Sequence, residues 1–230
     1  MRDFSEKRIK SLSYFNPTSV DLSWNKITDL EGIQNIPFFS GVTALDLRGN
    51  KIENLAPLGE KTNLTWLSLA YCELKDISPL SDCAELEWLD LGENRIKDFS
   101  ALSNLAALKY LKLGDYKKIC CTDISPLSNL SNLRELYMEL GGISDLSPLS
   151  NLGGLVKLTL YACKSVTDIT PLSKMRSLET LRLDYTRVTD ITPLASMPSL
   201  KEVYLPETVK DLSPLKDAIV ERGLIIRIFR

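Results

Sequence analysis

Leucines recur in a fixed phase along almost the whole chain, and that recurrence limits the fold more than any other property of the sequence. The segment LEWLDLGENRIKDFSALSNLAAL carries Leu86, Leu89, Leu91 and Asn94, then Ile96, Phe99, Leu102 and Leu105, and begins again at Leu108. Leu89 and Leu91 alternate with Trp88, Asp90 and Gly92, which is the period of a half-buried strand. The three-residue steps from Phe99 to Leu108 suit a tight 3₁₀ turn, in which i and i+3 eclipse. Copies begin at Val42, Leu64, Leu86, Leu108, Leu133, Leu155, Leu178 and Leu200, mostly 22 residues apart. A degenerate copy begins at Pro17 with Val20, Leu22, Asn25 and Ile27. One such unit cannot bury its own apolar face, so the copies must stack, each covering the next.

The second half of the unit is as regular as the first. Asp76-Ile77-Ser78-Pro79-Leu80 and Asp123-Ile124-Ser125-Pro126-Leu127 repeat one signature, DISPL followed by SxLxxL. This pattern resembles the leucine-rich repeat in its short form, and the bacterial internalin type in particular, over roughly residues 17–215. The resemblance implies an α/β leucine-rich repeat solenoid: a curved right-handed superhelix with a parallel β-sheet on its concave face and short helical turns on the convex one. It also implies a module that makes protein–protein contacts. Internalins continue into an immunoglobulin-like domain and often a wall anchor, and neither is present in this sequence.

The period runs through without a linker, so a single structural domain is expected. Residues 1–16 fall outside the repeat and are expected to cap its first layer, with Phe4, Ile9, Leu12 and Phe15 as the apolar side. About nine repeats fill residues 17–208. Residues 209–230 form a C-terminal cap: a short helix over Pro214 to Arg222, Gly223 as its terminator, and a last strand over Leu224 to Phe229.

Two columns of polar residues run through the repeat. Asn25, Asn50 and Asn94 occupy the bend after the strand, where a buried amide satisfies open backbone groups; the column then decays to Gly141, Cys163, Thr186 and Thr208. Asp29, Asp76, Asp98, Asp123, Asp145, Asp168, Asp190 and Asp211, with Asn54, form the other. Carboxylates on separate turns do not build a compact calcium loop. The Ser or Thr that follows, placed before Pro, reads as the N-cap of a helical turn. Two copies are irregular. Extra residues fall in Gly114 to Cys120, expected to bulge beside the concave face, and at Cys163-Lys164-Ser165. Such insertions serve binding as readily as they are merely tolerated.

A net charge of −2 and a pI of 5.4 leave no basic footprint for nucleic acid. No apolar run is long enough for membrane insertion. The N-terminus lacks an apolar h-region, which favours the cytoplasm over secretion or surface delivery. Of five cysteines, Cys72 and Cys163 fall in the asparagine column and Cys83 and Cys121 in inward apolar slots, as reduced thiols. There is no histidine and no CxxC pair, so metal and cofactor sites are not expected. The absence of histidine also removes the Ser-His-Asp and Cys-His nucleophiles, and an enzyme is not expected. Carboxylate pairs such as Asp90/Glu93 or Glu135/Glu139 are the only acid–base candidates, on a face too open to shift their pKa values.

The repeat assigns the remaining residues to faces. Positions around the two inner leucines point out of the concave sheet, and all three tryptophans and Tyr71, Tyr110, Tyr137, Tyr161, Tyr185 and Tyr204 fall there. Ser68, Ala70, Leu140 and Asp184 read as outward by the same rule. Trp66, Trp88 and Tyr110 share one column in consecutive repeats and should form a ladder. The acids of the face (Asp21, Asp46, Asp90, Glu93, Asp115, Glu135, Glu139, Asp184, Glu202, Glu207) outnumber Arg48, Lys112, Lys157 and Arg182. The reading is a non-catalytic module, a monomer, that binds a protein or peptide partner with a basic patch. The residues assigned to that contact are Trp66, Tyr71, Trp88, Asp90, Glu93, Tyr110, Lys112, Asp115, Tyr137, Tyr161, Arg182 and Tyr185. The alternatives are a carbohydrate-binding surface or adhesin fragment, and a regulatory subunit of an enzyme.

Overall fold

A computed structural model of the chain describes residues 18–35, 38–115 and 121–229. The expected N-terminal cap, the side chain of Asp115 and the insert from Tyr116 to Cys120 lie outside the described residues.

Each repeat contributes one strand and the C-terminal segment adds a tenth: β1 (Ser19–Asp21), β2 (Ala44–Asp46), β3 (Trp66–Ser68), β4 (Trp88–Asn94), β5 (Tyr110–Asp115), β6 (Glu135–Glu139), β7 (Lys157–Leu160), β8 (Thr180–Arg182), β9 (Glu202–Pro206) and β10 (Ile225–Phe229). They form one parallel sheet in chain order, β1 to β10. The register is that of the repeat: Trp66 pairs with Trp88, Trp88 with Tyr110, Leu67 with Leu89 and Leu89 with Leu111. Equivalent leucines therefore lie side by side, and one continuous core runs from Val20 to Leu224. Leu89 and Leu91 are fully buried in it, as are Cys72, Cys83, Cys121 and Cys163. The return segments are short 3₁₀ turns such as Ser78–Asp82, Ser100–Asn104 and Ser125–Asn129, replaced by single α-turns at Ala56–Gly59 (α1) and Thr192–Ala195 (α2).

The aspartates, not the serines, cap these turns. Asp76 Oδ1 accepts the backbone N–H of Ser78 at 2.8 Å. Asp29, Asn54, Asp98, Asp123, Asp145, Asp168, Asp190 and Asp211 each repeat that bond, at 2.7–2.8 Å to the residue two places on. Ser78, expected as the N-cap, is the first residue of the turn. Pro79 follows at a position whose N–H would find no partner in the turn, so its absence costs nothing.

The asparagine column holds the opposite bend. Asn94 Oδ1 accepts from the N–H groups of Cys72 and Leu74 at 3.1 and 3.0 Å. Its Nδ2 donates to the carbonyls of Leu69 and Leu91 at 2.8 and 2.9 Å. Asn50 does the same for Asn25, Ile27, Leu22 and Leu47. At the C-terminal end α3 (Lys216–Arg222) ends at Gly223, whose φ of 68° is the left-handed stop. β10 then pairs along β9.

Candidate functional site

The concave sheet carries two aromatic rows, where the sequence suggested one. The first stands on the strands. Trp66, Trp88 and Tyr110 stack face to face, with ring centroids 4.3 and 4.7 Å apart and planes within 11°. Tyr137, diagonal to Tyr110 on β6, continues the row at 5.4 Å, tilted by 37°. In-register parallel strands place equivalent side chains about 4.8 Å apart, close to the stacking distance of aromatic rings. The rungs are half-buried by one another. Burial, then the charges of Asp90, Tyr137 and Glu135, push the Tyr110 phenol up to about 12. Burial and Glu135 also raise Tyr137, so both hydroxyls stay protonated at neutral pH.

The second row sits on the turns at the strands' C-terminal ends. Strand alternation would point the residue two past the inner leucine pair into the core. Trp24, Tyr71, Glu93 and Tyr185 avoid that fate by adopting a left-handed backbone, with φ of 56–58°. This conformation is unusual for bulky residues, and it throws their side chains outward. Trp24, Tyr71 and Tyr185 are accordingly 65, 47 and 49% exposed. Trp24 lies across Gly49, where any Cβ would fall about 2.2 Å from its ring, and reaches Tyr71 at 6.0 Å. Tyr161 and Tyr185 meet edge to face at 5.2 Å.

The structure corrects several expected positions. Leu140 is buried, not outward: its backbone stays out of the left-handed region, so alternation carries it inward after Leu136 and Met138. Ser68 and Ala70 are buried among neighbouring strands. The Asp184 side chain is fully buried, gripped by Arg182 Nε and Nη2 at 3.0 and 3.4 Å. Tyr71 belongs with Trp24 and not with the ladder.

The acids of the face outnumber its bases. Five of them are ion-paired: Asp46 with Arg48, Asp90 with Lys112, Glu135 with Lys157, Asp184 with Arg182 and Glu202 with Arg227. Arg227 was missed because the pattern was taken to end before β10, although it continues the column of Arg182 and Tyr204. Tyr204 lies between these two guanidiniums, at 4.5 and 5.9 Å from its ring centre. Trp66, Trp88, Tyr110, Tyr137, Asp90 and Lys112 come together on β3–β6. Tyr161, Arg182 and Tyr185 form a separate group at the C-terminal ends of β7 and β8. Glu93 faces Tyr71 across a cleft of about 200 Å³ with Glu73 and Arg95. Among the described residues no three potential metal ligands stand together, and no helix is long and apolar enough to cross a membrane.

A parallel sheet in chain order, one strand per 22-residue unit, with 3₁₀ returns and an asparagine-held bend, defines a leucine-rich repeat solenoid. Family models described as leucine rich repeat match residues 62–115 and 18–34. Among solved structures, internalin C2 of Listeria monocytogenes is 31% identical over 92% of this chain and 80% of its own, with a TM-score of 0.63. Internalin F of the same species is 27% identical over 96% of this chain and 68% of its own, at 0.69. A leucine-rich repeat protein of Leptospira interrogans, 20% identical over 89% of this chain and 52% of its own, shares the fold at 0.72. No curated protein matches the sequence. The chain belongs to the internalin-like leucine-rich repeat proteins. Leucine-rich repeat proteins are in general non-catalytic protein-interaction modules.

Proposed function

We propose that this chain is a non-catalytic module that docks a protein or peptide on its concave sheet, with the ladder from Trp66 to Tyr137 as the anchor. The observation that carries this reading is a stacked row of four aromatic side chains on the solvent side of the sheet, outside the leucine core. Trp and Tyr dominate binding hot spots, and rings already locked by stacking lose little entropy on association. The acids of the face outnumber its bases, which favours a partner with a basic patch. Carbohydrate recognition by ring stacking is less well served: both faces of Trp88 are taken by Trp66 and Tyr110, leaving edges for a ligand.

Peptides selected by phage display on the immobilised full chain provide the test. Trp88→Ala is expected to weaken the selected peptides by about 2 kcal/mol or more, whereas Asn104→Ala, on the convex side, leaves them unchanged. Each lost stacking contact also lowers stability by about 0.5–1.5 kcal/mol, so folding is checked by circular dichroism and Trp88→Phe serves as the stack-preserving control. Equal affinities for Trp88→Ala and Asn104→Ala would move the site off the sheet.

A further inference from the structure

The turns that follow β7, β8 and β9 enclose a cleft of about 300 Å³ lined by Lys164, Tyr185, Arg187, Pro206 and Glu207, together with Thr186 and Thr208. The two threonine hydroxyls are already spent on backbone carbonyls, Thr186 on Leu183 and Thr208 on Val188. The polar capacity of the cleft therefore rests on Lys164, Arg187, Glu207 and the Tyr185 phenol. Lys164 and Arg187 are exposed, and neither has an acidic partner among the described residues. On the adjoining strands, by contrast, Lys157, Arg182 and Arg227 are each paired. Two cations against one carboxylate leave the cleft net positive.

Its walls are held in place. Lys164 comes from the extra residue of the 23-residue repeat between Leu155 and Leu178. That turn is pinned by the Lys164 N–H to Ala162, the Ser165 hydroxyl to Gly141 and the Arg187 N–H to Val166. Tyr185 is turned outward by its left-handed backbone and buttressed edge to face by Tyr161. The corresponding cleft five repeats earlier has the same tyrosine wall, Tyr71, with Glu73, Glu93 and Arg95 around it. There Glu73 matches both Arg95, at 2.8 Å, and Lys51, the repeat-equivalent of Lys164, at 3.7 Å. One architecture thus has its cations ion-paired in the N-terminal cleft and free of acidic partners in the C-terminal one, among the described residues.

We infer that the Lys164–Tyr185–Arg187 cleft seats an acidic side chain, Asp or Glu, of a protein partner. Lys164 and Arg187 take the carboxylate by charge-assisted hydrogen bonds, and the Tyr185 ring covers the methylenes. The cleft is within the volume range of a small-ligand site and larger than a bare oxyanion fills. This assignment takes the nature of the partner from the proposed function, but its residues are separate from the ladder.

The test uses the 230-residue chain and two blocked tripeptides, N-acetyl-Ala-Glu-Ala-amide and its Gln isostere, titrated by amide NMR, with inorganic phosphate as a third ligand. The Glu peptide is expected to shift the amides of residues 163–166 and 185–188 saturably, in the millimolar range. The Gln peptide should bind more weakly by about threefold to fivefold, as for an exposed ion pair. Lys164→Gln and Arg187→Gln should each weaken the Glu peptide by a similar factor and leave the rest of the spectrum in place. Trp88→Ala should leave this titration unchanged, so loss of the ladder site and loss of the cleft are read separately. Equal shifts from Glu and Gln peptides, absence of shifts at tens of millimolar, or shifts that survive the Lys164→Gln/Arg187→Gln double variant would overturn the assignment. Shifts from phosphate but not from the Glu peptide would overturn it in favour of a phosphate site.

Discussion

Asn94→Ala is the sharpest probe of how this repeat is held together. Asn94 is fully buried, and its amide serves two repeats at once. Truncation strands the N–H groups of Cys72 and Leu74, which have Asn94 Oδ1 as their acceptor. It also removes a donor from the carbonyls of Leu69 and Leu91. A buried donor left unsatisfied costs about 1–3 kcal/mol, so the two N–H groups alone predict a loss of about 2–6 kcal/mol. The carbonyls add less, since an oxygen has a second lone pair. Thr186→Ala, in the same column, removes one hydrogen bond, to Leu183, and should lose only about 0.5–1.5 kcal/mol. Urea unfolding followed by circular dichroism measures both, with the midpoint compared at constant slope. Asn94→Asp keeps the acceptor and aims a carboxylate at two carbonyls. Its folded pKa should rise, so relative to wild type it should be worst at neutral pH and recover as the pH falls through that raised value. A loss below about 1 kcal/mol for Asn94→Ala, well under the penalty for one orphaned buried donor, would refute the claim that the amide is the hinge pin of the bend.

Burial pushes the thiols of Cys72 and Cys83 up to about 11 and that of Cys163 to about 12. A disulfide reagent at pH 8 should therefore label these residues only on unfolding; fast labelling of the native protein would contradict the burial. Lys61 is 6% exposed, beneath Phe39 at 5.1 Å, with its ammonium donating to the Ser40 carbonyl. Lys61→Met should raise stability by about 1 kcal/mol. Burial lowers the Lys61 pKa from 10.5, so wild type should regain ground on the variant as pH rises through the interval just below that value, measured by thermal melts. Hydrogen bonds from the N–H and hydroxyl of Ser78, Ser125 and Ser213 hold Asp76, Asp123 and Asp211 below the usual 3.8. Their contribution should be complete above that value and lost as pH falls through the lower, folded ones. An acid unfolding curve unchanged in Asp76→Asn would count against it.

The core was legible because burial follows period: Leu89 and Leu91 alternate, Phe99 and Leu102 step by three, and no other stacking satisfies both. The aspartate column was equally plain in position, yet its role was assigned to the wrong residue. A 3₁₀ turn starting at Ser78 puts the Ser78 N–H, not its hydroxyl, where a cap is needed. Leu140 and Tyr71 occupy one repeat position and point in opposite directions. The difference is a single backbone dihedral, for which a Tyr or a Leu gives no local signal as Gly49 does. Ion pairing across strands depends on register between columns, so a tally of acids could not show which of them are paired. Lys61 could have been found, since it stands one repeat before Cys83 in an inward apolar slot and breaks the pattern there.

The asparagine pins are not evenly spaced along the solenoid, and this has a consequence for how the chain comes apart. Asn50 and Asn94 each tie a strand to the bend of the preceding repeat, across 20–28 residues of sequence. Beyond Leu140 the same position offers a thiol, reaching Met138, a threonine, Thr186, bonded within its own turn, or a single hydroxyl bond from Thr208 back to Val188, in place of the amide's four. In a one-dimensional array, stability is a sum of unit terms and nearest-neighbour couplings. Strong couplings at one end and weak ones at the other divide such an array into a block that opens together and a tail that peels unit by unit. Hydrogen exchange should find the amides of β2–β4 opening as one group, and those of β7–β10 in a graded series from the end inward. The half carrying the tryptophan ladder is then the stiff half, and the half carrying Lys164 and Arg187 the compliant one.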